Sequence, residues 1–473
     1  MNLVEPHIAS LLGLPRVLPL FLTVALIVFL FRRDIREKPN VSGALWLATL
    51  WLLLAASRPP SAWLNVFLGA GGHAAAEEGS SLDVYFRLGL AIAGCCVLSK
   101  RQVQLSEIVR NNGWIIAFFL YCFISVAWSD IPFTAFKQWT KIFGHPIMAL
   151  IVLTEPDLEE ALTRLMKRCA YVVIPVSILW IKYFPEYGRA FDDWGLALNV
   201  GVTTGKNVLG SVCLIFGFFF FWHLLQTWHT ERSTQRRNEL RLIGGFLIGI
   251  LWLLRQAHSA NPTIGLFLAI LIVLFVGMRS TIKNFIGTYM LAAVVLFAVA
   301  EVTFGLSGRM SENLGRGSEL SGRRGLWTAL LGLHTNPILG TGFESFWLGE
   351  RPRQLEGLWF FIPNEAHNGY LETYLTLGSI GVFLLVGLFV ATFWKIRVEL
   401  FRNFEMARYR LGFLAALILY NWTEAAFRTL SPLWFAFYLI ATDYPRMLLA
   451  TAQSSVGVES PEETEELVYA EEP

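Results

Sequence analysis

Residues Asn207–Leu225 read NVLGSVCLIFGFFFFWHLL, an apolar run that contains no Asp, Glu, Lys or Arg. At about 1.5 Å per residue in an α-helix, a run of this length nearly crosses the roughly 30 Å hydrocarbon core of a bilayer. A helix suits such a segment because it pairs all of its backbone polar groups internally. The stretch therefore predicts a membrane-spanning helix.

Runs of the same kind recur along the chain. The whole sequence is 55% hydrophobic and 16% charged, against about 45–50% and about 25% in ordinary soluble domains. We therefore expect an all-α, polytopic membrane protein with about 12–13 transmembrane helices. The five cysteines fall in apolar runs without metal-ligand spacing, so they predict neither a disulfide nor a metal site. The further apolar runs lie near 17–31, 42–56, 82–98, 113–128, 136–153, 170–184, 242–254, 263–278, 285–304, 371–394, 411–426 and 432–449.

Positive charge predicts the orientation of these spans, because cytoplasmic loops accumulate Lys and Arg. Alternate connections are basic, and this places the N-terminus outside and the C-terminus inside for an odd number of spans. Residues 1–449 form one transmembrane domain, which includes a large outer loop at 306–370. The acidic residues 450–473 predict a disordered cytoplasmic tail. A net charge of +2 gives no indication of nucleic-acid binding. The basic connections are 32–38, 100–110, 164–168, 232–241, 279–283 and 395–410.

The large outer loop contains a pair of arginines, Arg323 and Arg324, among small residues and next to Trp327. Guanidinium groups present forked donors that match the oxygens of a phosphate or diphosphate. Interfacial arginines that meet lipid headgroups fit the same pattern. The residues alone leave both interpretations open.

A second polar group, Pro363-Asn364-Glu365-Ala366-His367-Asn368, ends the loop immediately before an apolar run. A histidine beside a glutamate at the mouth of a membrane cavity suits a general base for an acceptor hydroxyl. The alternative is a helix-capping group in which Asn364 or Asn368 caps the helix and His367 only forms hydrogen bonds.

The outer loop 185–206 carries Arg189 and ends in Thr204-Gly205-Lys206. This ending is similar to the last residues of a P-loop. The full glycine spacing and a preceding strand are missing, and the segment is predicted outside, so it does not indicate nucleotide binding. Lys206 at a helix start instead fits an anionic lipid-linked group.

In order along the chain, several motifs resemble the signature region of the O-antigen ligase and exopolysaccharide polymerase family. The similarity runs from about Trp128 to Gly381. Two of the motifs resemble the exopolysaccharide-polymerase branch, namely Trp128-Ser129-Asp130-Ile131-Pro132 and Gly205-Lys206-Asn207 with Gly210. The shared motifs are Ser321-Gly322-Arg323, Trp327, Pro337, Gly340, Gly342-Phe343, His367-Asn368, Tyr370 or Leu371, Gly378 and Gly381.

The resemblance implies a GT-C-like membrane glycosyltransferase on the periplasmic face of the bacterial inner membrane. Its donor would be an oligosaccharide carried on undecaprenyl diphosphate, and it would use neither a nucleotide sugar nor a metal or other cofactor. The family histidine corresponds to His367. From its position beside this histidine, we expect Glu365 to orient the ring. The diphosphate would meet Arg323 and Arg324, with Lys206 and Arg189 as further ligands.

Three functions fit this reading. A polymerase would join lipid-linked units to a glycan acceptor, with membrane lipid and a chain-length regulator as further partners, and the branch motifs favour it. An O-antigen ligase would move the glycan to lipid A-core. A transporter of lipid-linked oligosaccharide would place charges deep in several spans, whereas the charges here concentrate at span ends and in outer loops.

Overall fold

The protein is described from a computed structural model. The structure describes residues 16–68, 80–191, 195–278, 284–287, 289, 317–348, 351–355, 364–427 and 429–444. The side chains of these residues are described except those of 317–322 and 324. The predicted span at 285–304, the start of the large outer loop and the tail 450–473 therefore fall largely or wholly outside the described residues.

The described chain is almost entirely helical, which confirms the all-α class. Two short 3₁₀ helices, Ser125–Trp128 and Pro352–Leu355, accompany the α-helices. Strands β1 (Arg189–Phe191) and β2 (Ala197–Asn199) form an antiparallel hairpin. In chain order the α-helices are α1 Val17–Arg36, α2 Leu45–Ala55, α3 Pro60–Phe67, α4 Ser81–Lys100, α5 Leu105–Asn111, α6 Gly113–Ile124, α7 Pro132–Ile142, α8 Gly144–Leu153, α9 Leu158–Tyr183, α10 Pro185–Gly188, α11 Lys206–His229, α12 Thr234–Ala257, α13 Ala260–Met278, α14 Gly317–Gly332, α15 Gly369–Glu399, α16 Phe404–Thr423 and α17 Pro432–Ala441.

Apart from the run at 285–304, each predicted apolar run overlaps described helices, and residues 445–449 of the last run lie outside the described residues. Within the described residues, five helices are long and apolar enough to cross a membrane: α4, α11, α12, α13 and α15. A sixth candidate is the bent pair of α5 with α6 and its 3₁₀ turn, and α2 and α17 are shorter apolar helices. The chain is thus a polytopic membrane protein, and the count of 12–13 spans stays a prediction.

Helix α11, the run quoted first, lies at the centre of the bundle. Its residues Val212–Phe220 are buried, and it packs against α12 and α13, while α13 packs against α16. Apolar side chains on the outer helices face outward instead, as Phe21 of α1, Ile248 of α12 and Phe267 of α13 show with more than 60% exposure. Such a surface suits lipid.

Helix α15 is broken at Gly378, where φ is 66° and ψ is −166°. Residues 337–342 lie along the break, and the Ser379 N–H donates to the Pro337 carbonyl at 2.9 Å. A Cβ atom on residue 378 would stand 2.1 Å from the carbonyl oxygen of Ile338. Only glycine fits this close approach and this left-handed conformation. Backbone groups released by the break are thereby paired, as a membrane environment requires.

Charged side chains join four helices at one end of the bundle. Arg168 donates to Asp34 at 2.8 Å, and Arg164 donates to the second oxygen of the same carboxylate at 3.0 Å. Lys167 and His223 share one oxygen of Glu239. We call this set the Asp34 network, and it comprises Arg33, Asp34, Glu37, Arg164, Lys167, Arg168, His223 and Glu239.

Helix α16 runs from this end of the bundle to the opposite end. Its first turn lies near the Asp34 network, because Trp222, next to His223, donates to the Glu405 carbonyl at 2.9 Å. The helix contains 20 residues and ends at Thr423, so its two ends lie about 30 Å apart along its axis. The segment that follows α16 therefore lies at the other end of the bundle.

Candidate active site

Four charged side chains meet at that other end and form what we call the His367 cluster. Nδ1 of His367 lies 2.8 Å from Oε1 of Glu365 and 3.4 Å from Oε2 of Glu424. The second oxygen of Glu424, Oε1, accepts a hydrogen bond from Arg323 at 3.0 Å. One carboxylate thus joins the predicted phosphate-binding arginine to the predicted base.

The backbone on either side of Ala366 is held from two directions. The Trp327 indole N–H donates to the Ala366 carbonyl at 2.8 Å, and the Ala366 N–H donates to Glu372 at 3.0 Å. Glu372 also accepts a hydrogen bond from the Trp347 indole. This clamp fixes the peptide groups next to His367, whose φ of 49° is uncommon for a residue other than glycine. Strained positions of this kind need such support.

The residues after His367 explain how the loop turns into α15. The Asn368 side chain accepts from the Tyr370 and Leu371 N–H groups, both at 3.0 Å, so Asn368 is the N-cap. Gly369 allows α16 to approach, because a Cβ there would stand 2.0 Å from the Asn421 side-chain oxygen. The capping interpretation is therefore correct for Asn368, and His367 has ion-pair partners of its own.

The two glutamates control the protonation of His367. Burial lowers the pKa of the imidazole, but the hydrogen bonds and negative charges of Glu365 and Glu424 outweigh it and raise the pKa to about 9. The cationic form therefore dominates at neutral pH. Because both glutamates face Nδ1, Nε2 is the ring nitrogen left for a substrate.

The cluster also has the composition of a cation site. One oxygen of Glu365, one oxygen of Glu424 and a ring nitrogen of His367 lie within 4.8 Å of one another, close enough to hold a divalent ion. In the structure the charges of the two carboxylates are balanced by Arg323 and the imidazolium. A metal ion bound here would have to replace that ion pairing.

Among the predicted diphosphate ligands whose side chains are described, Arg323 alone is joined to His367, through Glu424. Arg323 donates to Glu424 and to the Thr423 carbonyl, the latter at 2.5 Å. The side chain of Arg324 lies outside the described residues. Arg189 begins β1 and is exposed on the hairpin.

Lys206 lies at the same end of the bundle as the cluster, at the start of α11. The neighbouring carbonyl of Asn207 accepts a hydrogen bond from the Tyr420 hydroxyl at 3.3 Å. The Tyr420 carbonyl in turn accepts from the Glu424 N–H at 3.1 Å. Lys206 is therefore near the cluster through α16, without a direct contact to it.

Sequence reasoning missed Glu424, which the fold makes the central residue of the cluster. Its side chain is 7% exposed, against 31% for His367. The available signal was a carboxylate at the outer end of an apolar run, in Asn421-Trp422-Thr423-Glu424. Ionisable residues at such positions are candidates for function.

Several of the family-like motif residues serve as scaffold. The Trp128 indole donates to the Leu339 carbonyl at 3.2 Å, and the Phe343 N–H donates to the Ser125 hydroxyl at 3.0 Å. These bonds hold residues 337–343 against the break in α15. The Trp128 motif and the glycine-rich motif thus support each other and position α15 beneath His367.

The same region resembles known proteins. A family model described as O-Antigen ligase matches residues 245–386, which include Arg323 and His367. The chain is also 28% identical over 294 residues to "Exopolysaccharide production protein ExoQ" of Rhizobium meliloti (strain 1021). That match covers 59% of this chain and 64% of the relative, so the chain spans less than two thirds of the relative's length. The resemblance predicted from the motifs is thereby confirmed, and this membrane protein is similar to the O-antigen ligase and exopolysaccharide polymerase family.

Proposed function

We propose that this protein is a glycosyltransferase of the bacterial inner membrane that polymerises a surface or exopolysaccharide on the periplasmic face. Its donor is an oligosaccharide on undecaprenyl diphosphate, and its acceptor is a glycan hydroxyl. The observation that carries the proposal is the Glu424 bridge, which places a guanidinium and an imidazole on the two oxygens of one carboxylate. A diphosphate site and a base are both needed for this reaction, and they must lie close together.

Arg323 binds the donor diphosphate in this proposal, with Arg324, Lys206 and Arg189 as further cations. As the anomeric bond breaks, negative charge grows on the leaving diphosphate, and fixed cations stabilise it. The side chain of Arg323 is 20% exposed, so its guanidinium can be reached from outside the cluster. No metal ion is required for this role.

The transfer step forms one glycosidic bond and breaks another. The acceptor hydroxyl oxygen attacks the anomeric carbon, and the bond from that carbon to the diphosphate oxygen breaks. Its electron pair leaves with undecaprenyl diphosphate. The proton of the hydroxyl passes to Nε2 of neutral His367.

Glu365 and Glu424 then stabilise the imidazolium that this step produces. They face Nδ1, so they also orient the ring with Nε2 toward the acceptor, as carboxylates do for catalytic histidines elsewhere. The same carboxylates keep most of the resting His367 protonated. The reaction therefore draws on a small neutral fraction that grows as the pH rises toward 9.

Two observations point to different acceptors. The printed name of the relative concerns exopolysaccharide production, whereas the matching family model is described as O-Antigen ligase. The branch motifs at Trp128–Pro132 and Gly205–Asn207 favour the polymerase, and transfer to lipid A-core by a ligase is the second candidate.

The test is incubation of the purified protein with lipid-linked repeat units, with and without lipid A-core. Chains of increasing length without lipid A-core support the polymerase. Product that forms only when lipid A-core is present supports the ligase and not the polymerase. If neither product forms while the protein moves lipid-linked units across vesicle membranes, the glycosyltransferase proposal is wrong and a transporter takes its place.

A further inference from the structure

A long groove runs along α1 on the outside of the bundle, between α9 and α12. We call it the α1 groove. Its volume is about 790 Å³, within the range of about 300–1,000 Å³ that is usual for ligand sites. It follows α1 from Pro19 to Arg33, about 21 Å along the helix axis.

The walls of the groove are apolar over most of this length, with Leu22, Leu26 and Phe29 from α1. Small residues open the α12 side, where Gly245 and Gly249 line the groove. A lining of this kind accommodates hydrocarbon chains along the direction of the helices. It therefore fits a lipid lying parallel to the membrane normal.

The polar lining concentrates at one end of the groove, where Arg33, Asn238 and Arg241 lie. Glu37 and Glu239 balance the charge of Arg33. Arg241 and Asn238 are exposed at the same end, one helical turn apart on α12. An anionic headgroup is the complement of this end, since the surrounding segments 32–38 and 232–241 are also basic.

The position of this end decides which lipid fits. Arg33 is paired with Glu239, which also holds His223, so the cationic end lies with the Asp34 network. The His367 cluster lies at the opposite end, beyond the far end of α16. A lipid-linked donor with its diphosphate at Arg323 therefore has its headgroup in the other leaflet. The groove instead fits a lipid of the leaflet next to the Asp34 network.

We propose that the α1 groove binds an anionic phospholipid, with its acyl chains along α1 and its phosphate at Arg241 and Asn238. This ligand is distinct from the donor of the proposed reaction, and the site stands whether or not that reaction is correct. The bound lipid fills the space between α1, α9 and α12 and so supports the packing of α1 on the bundle.

The test compares phosphatidylglycerol with phosphatidylcholine of the same acyl chains. Protein purified in detergent is mixed with equal amounts of the two, and the bound lipids are counted by native mass spectrometry. The intact protein should retain phosphatidylglycerol in preference. Arg241→Gln should reduce that preference about fivefold, because one arginine near a membrane surface contributes about that factor. Arg237→Gln, on the same helix but outside the groove lining, should reduce it less.

A second pair of variants tests the shape of the site. A Cβ atom on Gly244 or Gly245 would meet no atom within 4 Å, so the backbone at both positions has room for a side chain to begin. Of these two glycines, Gly245 lines the groove and Gly244 does not. Gly245→Leu should therefore displace the bound lipid of either kind, while Gly244→Leu should not. Equal binding of the two phospholipids by the intact protein, or equal effects within either pair of variants, overturns the proposal.

Discussion

The His367 cluster and the Asp34 network are built from the same parts, yet their surroundings differ. Each is compact and balances cations against carboxylates, and each includes a histidine bound to a glutamate. In the Asp34 network the charges come from helices that pack side by side, and Asp34 has no exposed side-chain surface. In the His367 cluster the histidine comes from a loop, has a positive φ and is 31% exposed.

This difference shows that buried ion pairing alone does not identify a catalytic site. Charges fixed between helices hold the helices in register, and Asp34 at their centre has no exposed side-chain surface with which to meet a substrate. A histidine on a clamped loop can, because one ring nitrogen is held by carboxylates and the other is left to react. The following experiments compare the two regions directly.

The largest expected effect separates the two histidines. His367→Ala should lower the rate of glycosyl transfer by about 10²–10⁴-fold, the usual contribution of a general base. His223→Ala should leave the rate within about threefold, because His223 lies in the Asp34 network at the far end. Extension of lipid-linked units measures both, and elution on size exclusion checks that each variant is folded. Similar losses of transfer rate in the two variants would contradict a catalytic role that belongs to His367 and not to His223.

The next effect concerns stability rather than catalysis. Asp34→Asn leaves the buried Arg164 and Arg168 without their shared carboxylate, which should cost about 3–5 kcal/mol of unfolding free energy. Glu37 is 21% exposed and holds Arg164 from outside, so Glu37→Gln should cost about 1 kcal/mol or less. Thermal denaturation in detergent measures both. A melting temperature for Asp34→Asn no lower than that of Glu37→Gln contradicts a structural role for the network.

A smaller effect is expected for donor binding. Arg323→Gln removes charge-assisted hydrogen bonds and should raise KM for the lipid-linked donor about 10–100-fold. Arg351→Gln is the matched control from the same large loop, because Arg351 pairs with Asp130 at 2.6 Å and not with the cluster. Initial rates against donor concentration give both constants. An unchanged KM in Arg323→Gln shows that Arg323 is not a donor ligand.

No effect is expected from removal of divalent ions. If Arg323 and the imidazolium balance the two carboxylates, transfer should continue at its full rate in EDTA. Loss of activity in EDTA, restored by Mg²⁺ or Mn²⁺, assigns Glu365, His367 and Glu424 to a metal site instead.

Apolar runs were sufficient to predict the long apolar helices, because membrane spans are specified by local composition. Arg323 and His367 could also be predicted from the sequence, because they are polar residues in a loop that resembles a known signature. Glu424 could not be predicted from the sequence. It lies 101 residues from Arg323 and 57 residues from His367 along the chain, and the packing of the span ends brings the three together.

The predicted fifth span divides into α7 and α8 next to Pro146, which has no N–H to donate to the carbonyl of Ile142 four residues earlier. The packing at this break could not be predicted from the sequence. A Cβ on Gly144, the first residue of α8, would stand 2.1 Å from the Trp51 ring. That approach depends on α2, which is distant in sequence. Hydropathy along one segment carries no information about such a contact.

The pH dependence of transfer tests the central claim about His367 most directly. Because Glu365 and Glu424 raise its pKa to about 9, a base mechanism requires the rate of the intact protein to rise with pH up to a midpoint near 9. Glu365→Gln removes one negative neighbour, which lowers the pKa and should move the midpoint to lower pH. A midpoint that does not move, or a rate that falls as His367 loses its proton, contradicts His367 as the base.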